Sequence, residues 1–176
     1  LKFANATEIT PRIPRIEDGG GIWRLIDKCK PLDLNSCYAY LLLCRDFSGT
    51  CAVFRPEDEV LAFVSGYVPP GKPDTLFIWQ VAVAAELRGL GMAKKLILDI
   101  LSRDICSGVR FIETTVSPSN QASSALFRSL SSHLAAPLEK QGGFEIDHFP
   151  DSGHEAEILF RIGPFNPYPD TRKEAP

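Results

Sequence analysis

The stretch from Leu76 to Ile100, LFIWQVAVAAELRGLGMAKKLILDI, constrains the fold of this chain more than any other. From Leu76 to Val83 the residues are apolar except Gln80, and the enrichment in β-branched and aromatic side chains predicts a strand buried on both faces. After Glu86 the period changes. Met92, Leu96 and Ile100 recur at helical spacing with Ala93, Ile97 and Leu101 beside them, while Lys94, Lys95 and Asp99 take the opposite side. Gly89 and Gly91 fall where that helix should begin. Without Cβ atoms the chain can turn tightly there and present unpaired amides to an anion, assisted by the positive end of the helix dipole. The strand, turn and helix together read as a phosphate site.

Spacing narrows the kind of phosphate site. A P-loop requires G-x-x-x-x-G-K-[ST], and the chain has no such run. A dinucleotide fingerprint requires G-x-G-x-x-G, and the third glycine position is Lys94. What remains is R-x-x-G-x-A, Arg88 to Ala93, directly after Val81-Ala82-Val83. A glycine-rich helix cap is the competing reading of the same six residues.

Composition excludes other classes. The chain has 176 residues, 44% hydrophobic and 23% charged, which suits one domain with a sizeable core. A formal net charge of −3 and a pI near 5.6 argue against a nucleic-acid partner, and no basic stripe is present. No apolar run reaches the ~18 residues of a membrane span and no signal-peptide series is visible, so no membrane partner is expected and the cytoplasm is the expected compartment. Leu1 in place of a methionine leads us to expect that the chain starts within a longer one. The five cysteines, at 29, 37, 44, 51 and 106, contain no C-x-x-C and are expected to be reduced, buried thiols, with no metal bound.

In chain order, Ile22, Trp23, Leu25, Ile26 and Cys29 form a core-facing helical stripe, with Gly19 to Gly21 weakening its first turn. Pro31 to Ser36 breaks it and supplies caps for a second helix, about Cys37 to Leu43. Thr50–Phe54 and Val60–Val68 are expected as antiparallel strands around a charged hairpin loop. Val109–Val116 is expected as another strand, and Ser117 to Asn120 as the cap of a helix through about Leu130. Ser131–Gly143 reads as loop or short helix, and Ala156–Ile162 as a final strand. The expected fold class is α/β (α+β): one domain over residues 9–165, a mixed, mostly antiparallel sheet flanked by helices, with flexible termini at 1–8 and 166–176.

The Arg88–Ala93 signature after an apolar strand resembles that of the GNAT acetyltransferases. The resemblance implies that Val81, Ala82 and Val83, with Arg88, Gly89, Leu90, Gly91, Met92 and Ala93, hold acetyl-CoA, the amides of the turn taking its pyrophosphate. Asn120-Gln121-Ala122 through Leu126-Phe127 is similar to the family helix that lies along the pantetheine arm, which adds Asn120 and Phe127. Here the chain departs from the family. The position of the frequent general-acid tyrosine is Phe127, which has no proton to give. Longer motifs, Pro31-Leu-Asp-Leu-Asn-Ser-x-Tyr-x-Tyr40, Phe77-Ile-Trp-Gln-Val-Ala-Val83 and Gly153-His-Glu-Ala-Glu157 through Arg161-Ile-Gly-Pro-Phe165, resemble the L-2,4-diaminobutyrate acetyltransferases of ectoine biosynthesis over about Ile9 to Phe165. That resemblance implies acetyl transfer to the 4-amino group of a small diamino acid, by a homodimer.

The implied chemistry sets demands on the residues. A primary side-chain amine has a reference pKa about 10.4, so only about one molecule in two thousand is neutral at pH 7. The site must bind a cation and then remove its proton. Carboxylates accept ammonium hydrogen bonds and an aromatic face holds the charge. Asp33, Tyr38, Trp79, His154, Glu155 and Glu157 are the candidate substrate contacts, and Asp33, His154 and Glu157 the candidate catalytic groups. Bland roles compete with each. Asp33 could cap a helix, Trp79 could be core, His154 and Glu155 could be solvated turn residues, Glu157 could be one half of a structural ion pair, and Phe127 could simply pack.

Overall fold

The computed structural model describes residues 10–150 and 153–166. Its framework is a six-stranded sheet in the order β1-β2-β3-β4-β6-β5: β1 Ala52–Phe54, β2 Ala62–Tyr67, β3 Thr75–Val83, β4 Phe111–Val116, β5 Leu138–Phe144 and β6 Glu157–Ile162. Neighbours are antiparallel except β3 and β4, which run parallel. Helix α3 (Met92–Leu101) is the crossover between that parallel pair, and α4 (Gln121–His133) follows β4. Helices α1 (Gly19–Lys28) and α2 (Cys37–Asp46) precede the sheet. The expected mixed, mostly antiparallel α/β domain is therefore observed.

Strand alternation divides the interior into two cores. Ala52, Phe54, Ala62 and Val64 point to the face covered by α3 and α4, with Leu96, Ile97, Ile100, Phe127 and Leu130. Val53 and Phe63 point to the other face, against Ile22, Leu25 and Ile26 of α1 and Tyr40 and Leu43 of α2. The glycines at the start of α1 do not shorten it. A Cβ at Gly19 would lie 2.7 Å from Leu41 Cδ2, and one at Gly21 2.7 Å from Val60 Cγ2, so close packing of α1 overrides poor helix propensity.

Asp18, 1% exposed and directly before α1, ties this helical layer to the sheet. It accepts from Arg12 at 2.7 and 2.8 Å, from the Arg15 amide at 2.8 Å and from Arg55 at 3.0 Å. Arg55 thus serves the fold rather than a plain charged loop. Burial pushes the Asp18 carboxyl up, but hydrogen bonds from Arg12, the Arg15 amide and Arg55 prevail and hold it at about 2 against an ordinary 3.8. A depressed carboxyl stabilises the fold above its unfolded value and stops doing so as pH falls through the folded one. At about 1.4 kcal/mol per unit, Asp18 contributes roughly 2 kcal/mol at neutral pH, lost between about pH 4 and 2. Urea unfolding of Asp18→Asn against wild type should show that difference at pH 7 and its disappearance near pH 2.

Three expectations need correction. Residues 131–143 do not form loop or short helix alone: α4 continues to His133 and β5 begins at Leu138. The sequence Leu-Glu-Lys-Gln-Gly-Gly-Phe lacks apolar alternation because β5 is an edge strand, largely exposed and held by its backbone ladder to β6. Cys37 is exposed, whereas Cys29, Cys44, Cys51 and Cys106 are buried. Burial pushes the thiols of Cys44, Cys51 and Cys106 up to about 12, 11 and 11, which keeps them protonated and inert. Third, β3 is not buried on both faces, since Trp79 is 45% exposed. The expectations for the termini fall outside the described residues, apart from Thr10 and Asn166.

Candidate active site

The exposure of Trp79 follows from the way β3 meets its neighbours. Ser65 of β2 pairs with Gln80 but Gly66 pairs with Ile78, so Trp79 is an extra residue in β3, a bulge. The bulge reverses the alternation. Ile78 faces the α3/α4 core, whereas Ala82 belongs to the core under α1 and α2. On the other edge, the parallel ladder to β4 ends at Phe77 and Glu113. There the buried Glu113 carboxylate is held by Lys72 at 2.9 Å and by Arg161. Beyond that clamp the two strands part and leave an open cleft between 78–83 and 114–116. The Gln80 amide donates to Ser65 Oγ on the β2 side at 3.1 Å. Successive amides of a strand point to opposite edges, so the Val81 N–H is directed into the cleft.

At one end of the cleft lies the glycine turn. Gly89 and Gly91 have φ of 77° and 73°, the left-handed region that favours glycine, and Gly91 is the N-cap of α3. No side chain caps this helix, so its first amides remain available to an anion. Nothing lies within 4 Å of a Cβ built at either glycine, which leaves open space above the turn. Leu90 is exposed and Ala93 half-buried, while Met92 is buried in the core. Arg88 turns back, donating from Nε to the Val83 carbonyl at 3.1 Å and from Nη2 to Cys29 Sγ at 3.8 Å. It braces the turn and borders a separate cavity of about 350 Å³ on the α1 side, floored by Leu25, Cys29, Val60 and Ala84. That cavity lies beside the cleft and shares only its Arg88 edge.

Asn120 caps α4, its side-chain oxygen accepting from the Ser123 amide at 3.0 Å. Phe127 is 2% exposed within the α3/α4 core. Because its ring packs and cannot give a proton, Phe127→Leu should slow turnover only modestly, well short of the ~10²-fold expected for loss of a general acid. A loss of three decades in kcat with cofactor binding intact would show that this helix does more than pack.

At the other end, two loops bring the carboxylates together. The half-buried Glu157 opens β6, and its carboxyl is raised above the ordinary 4.5. Burial is the largest cause. A hydrogen bond from Thr115 opposes it, the charge of Asp33 adds to it, His154 opposes it and Glu155 adds to it. Asp33, His154, Glu155 and Glu157 therefore share one electrostatic neighbourhood, although Asp33 lies more than a hundred residues earlier in the chain. The His154 ring stacks on Phe149, centroids 4.6 Å apart and planes 8° apart. Glu155 accepts from the Ser119 amide at 3.1 Å and from the Ser119 hydroxyl, which clips its loop to the turn before α4. Asp33 is not the helix cap; Ser36 caps α2, accepting from the Ala39 amide at 3.3 Å. Glu157 is bonded to Thr115, and among the described residues it forms no ion pair.

Tyr38 is not brought into this group. It is 64% exposed on the first turn of α2, because helical phase turns Tyr40 into the core and Tyr38 out of it. The residues that sequence reasoning passed over are the supports: Tyr40, Gln80, Thr115 and Ser119. Gln80 carried a signal, as the one polar residue in an apolar strand. Among the described residues, no group of three or more His, Cys, Asp or Glu side chains comes together that could hold a metal ion, and no helix is long and apolar enough to cross a membrane.

Comparison with known proteins agrees with this arrangement. The family model described as acetyltransferase (GNAT) family matches residues 21–131. The L-2,4-diaminobutyric acid acetyltransferase of Streptomyces avermitilis is 47% identical over 156 residues, covering 87% of this chain and 87% of that protein. The enzyme of the same name from Halalkalibacterium halodurans is 44% identical over 161 residues, 92% of this chain and 85% of that protein. A solved structure of the diaminobutyrate acetyltransferase EctA from Paenibacillus lautus, in complex with its substrate L-2,4-diaminobutyric acid and coenzyme A, superposes with a TM-score of 0.85 at 42% identity, covering 92% of this chain and 97% of that one. An open strand, an uncapped glycine turn and converging carboxylates, carried on a sequence this similar over nearly its whole length, place the chain in the acetyltransferase (GNAT) family, among the L-2,4-diaminobutyric acid acetyltransferases.

Proposed function

We propose that this protein transfers the acetyl group of acetyl-CoA to the 4-amino group of L-2,4-diaminobutyrate, giving N4-acetyl-L-2,4-diaminobutyrate for ectoine biosynthesis. What supports the reading most is that the charge of Asp33 reaches the half-buried Glu157 carboxyl, with the glycine turn opening α3 beyond the free edge of β3. A thioester lying along the unpaired edge of β3 would have its pyrophosphate on the amides around Gly89 to Ala93 and its carbonyl oxygen on the Val81 N–H, an oxyanion-type contact. Val83, on the same strand edge as Val81, would lie along the pantetheine arm, whereas Ala82 is turned into the core under α1 and α2; Asn120 stands at the N-terminus of α4.

The substrate ammonium enters between the carboxylates, with the exposed Trp79 as the aromatic wall beside the charge. Glu157, whose burial raises its proton affinity, accepts the ammonium proton directly or through water, and the neighbouring charges of Asp33 and Glu155 favour its protonated form. The neutral nitrogen then attacks the thioester carbonyl carbon. A C–N bond forms, the C–S bond breaks, the acylated nitrogen gives its second proton to water, and the sulfur leaves as thiolate, which takes a proton from solvent since Phe127 has none to give.

The open half of the sheet face around Tyr67, Phe77 and Leu159, half-buried in one chain, supports a homodimer. The cytoplasm, where acetyl-CoA and the amino acid occur together, is the proposed site of action, with osmotic stress as the setting. The decisive experiment incubates purified protein with acetyl-CoA and L-2,4-diaminobutyrate, follows thiol release and reads the product by NMR. Release of CoA many times over, with acetyl on the 4-nitrogen, is the expected result. A single stoichiometric event, or turnover only with another amine, would overturn it.

A further inference from the structure

The loop 30–36 that carries Asp33 has no regular structure, and among the described residues only its Leu32 amide bonds back to the main chain, to the Cys29 carbonyl at 3.0 Å. Its position over the sheet is set by one buried side chain. Gln80, 6% exposed, donates from Nε2 to the Asp33 carbonyl at 2.8 Å. Its Oε1 accepts from the Tyr40 hydroxyl at 3.2 Å, and the Tyr40 oxygen accepts in turn from the Asn35 amide at 3.2 Å. Its own amide is anchored on Ser65. One residue therefore grips both the carbonyl of Asp33 and, through Tyr40, the amide two positions later. It sits in β3 between Trp79 and Val81, next to the strand edge that faces the cleft.

The geometry points to Gln80 as the positioning residue that sets the distance between the acceptor loop and the thioester strand, and hence the length of diamino acid whose terminal nitrogen reaches the carbonyl carbon. This rests on the proposed function for the identity of the amine, but not for the linkage itself. A glutamine is suited to the task because it donates and accepts at once, and both atoms are used. Buried and fully satisfied, such a network admits one arrangement, and removing a partner leaves the others unpaired. A loop held at one height discriminates between homologues that differ by a methylene, which a hydrophobic wall alone separates only weakly.

Gln80→Leu keeps the volume and removes both bonds. Two measurements test it together: amide hydrogen exchange in residues 33–35, and steady-state kinetics with L-2,4-diaminobutyrate and its homologue one methylene longer. Exchange at the Asn35 amide should speed up about tenfold or more, and the amine KM should rise about tenfold or more, with the acetyl-CoA KM held within about threefold. Preference over the longer homologue should fall about fivefold or more. Tyr40→Phe should speed exchange at Asn35 while keeping most of the amine affinity, because the bond to the Asp33 carbonyl survives. If Gln80→Leu does not fold, Gln80→Glu retains the acceptor for Tyr40 and loses the donor to Asp33, and carries the same expectation for the amine KM and the chain-length preference, with exchange at Asn35 near wild type. A folded Gln80 variant with wild-type exchange in 33–35 and unchanged amine KM and chain-length preference would overturn the assignment. Failure of the wild type to turn over diaminobutyrate would instead overturn the proposed function, and the exchange comparison would still decide the role of Gln80.

Discussion

Gly91→Asp should lower acetyl-CoA affinity by about 100-fold or more, equivalent to about 2.7 kcal/mol, while leaving the protein folded. The fold should survive because a Cβ at this position meets nothing within 4 Å, and because φ of 73° costs a non-glycine residue only about 1–2 kcal/mol, less than the stability of a typical domain. Binding should not survive, since the space the new carboxylate would occupy is the space above the uncapped amides of α3, where a phosphate is to sit. Gly91→Ala separates strain from charge: it adds the Cβ without the carboxylate and should lose affinity by a much smaller factor. Calorimetric titration with acetyl-CoA, alongside thermal unfolding, gives both quantities. Unchanged affinity in folded Gly91→Asp would remove the pyrophosphate from this turn.

The second large effect is expected at the other end of the cleft. Asp33→Ala and Glu157→Ala should each raise the KM for diaminobutyrate by about 30-fold to several-thousand-fold, the range implied by a cost of about 2 to 5 kcal/mol if the bound amine covers the exposed Asp33 and the half-buried Glu157 and makes each a desolvated charge partner. Acetyl-CoA affinity should stay within a few-fold of wild type, because both carboxylates lie away from the glycine turn. Glu157 adds a pH signature. Its raised pKa means that the base is lost by protonation at a pH above the ordinary carboxylate range, so kcat/KM should fall on the acid side from that higher point. Glu157→Gln should abolish that limb. Normal amine KM values in both alanine variants, or wild-type product acetylated on the 2-nitrogen, would dismantle this end of the site.

The parts of the molecule that were legible in the chain are those governed by local periodicity. Strand β3, helix α3 and the glycines between them announce themselves because apolar spacing and φ > 0 are properties of a few consecutive residues. The same holds for α4 and its Asn120 cap. The long motifs around Asp33, Trp79 and Glu157 singled out three segments, yet did not show how their side chains are disposed. Tyr38 and Tyr40 looked alike in sequence; only the phase of α2 against the sheet sends one to solvent and the other into the core.

Strand β5 was illegible because an edge strand is held by a ladder to β6 and needs no apolar pattern of its own. Gly19 and Gly21 of α1 misled for the converse reason, since their value lies in contact with Leu41 and Val60, which local propensity cannot register. By itself, then, the sequence determined the class of fold, the glycine turn before α3 and the family, all of which are written in spacings of under about a dozen residues. Tertiary structure alone decided that Trp79 bulges out of β3, that the β3–β4 ladder ends at Phe77 and Glu113, and that Asp33 meets Glu157 under the hold of Gln80. Each of these is a relation between chain segments far apart, fixed by pairing register and burial, to which no window of sequence has access.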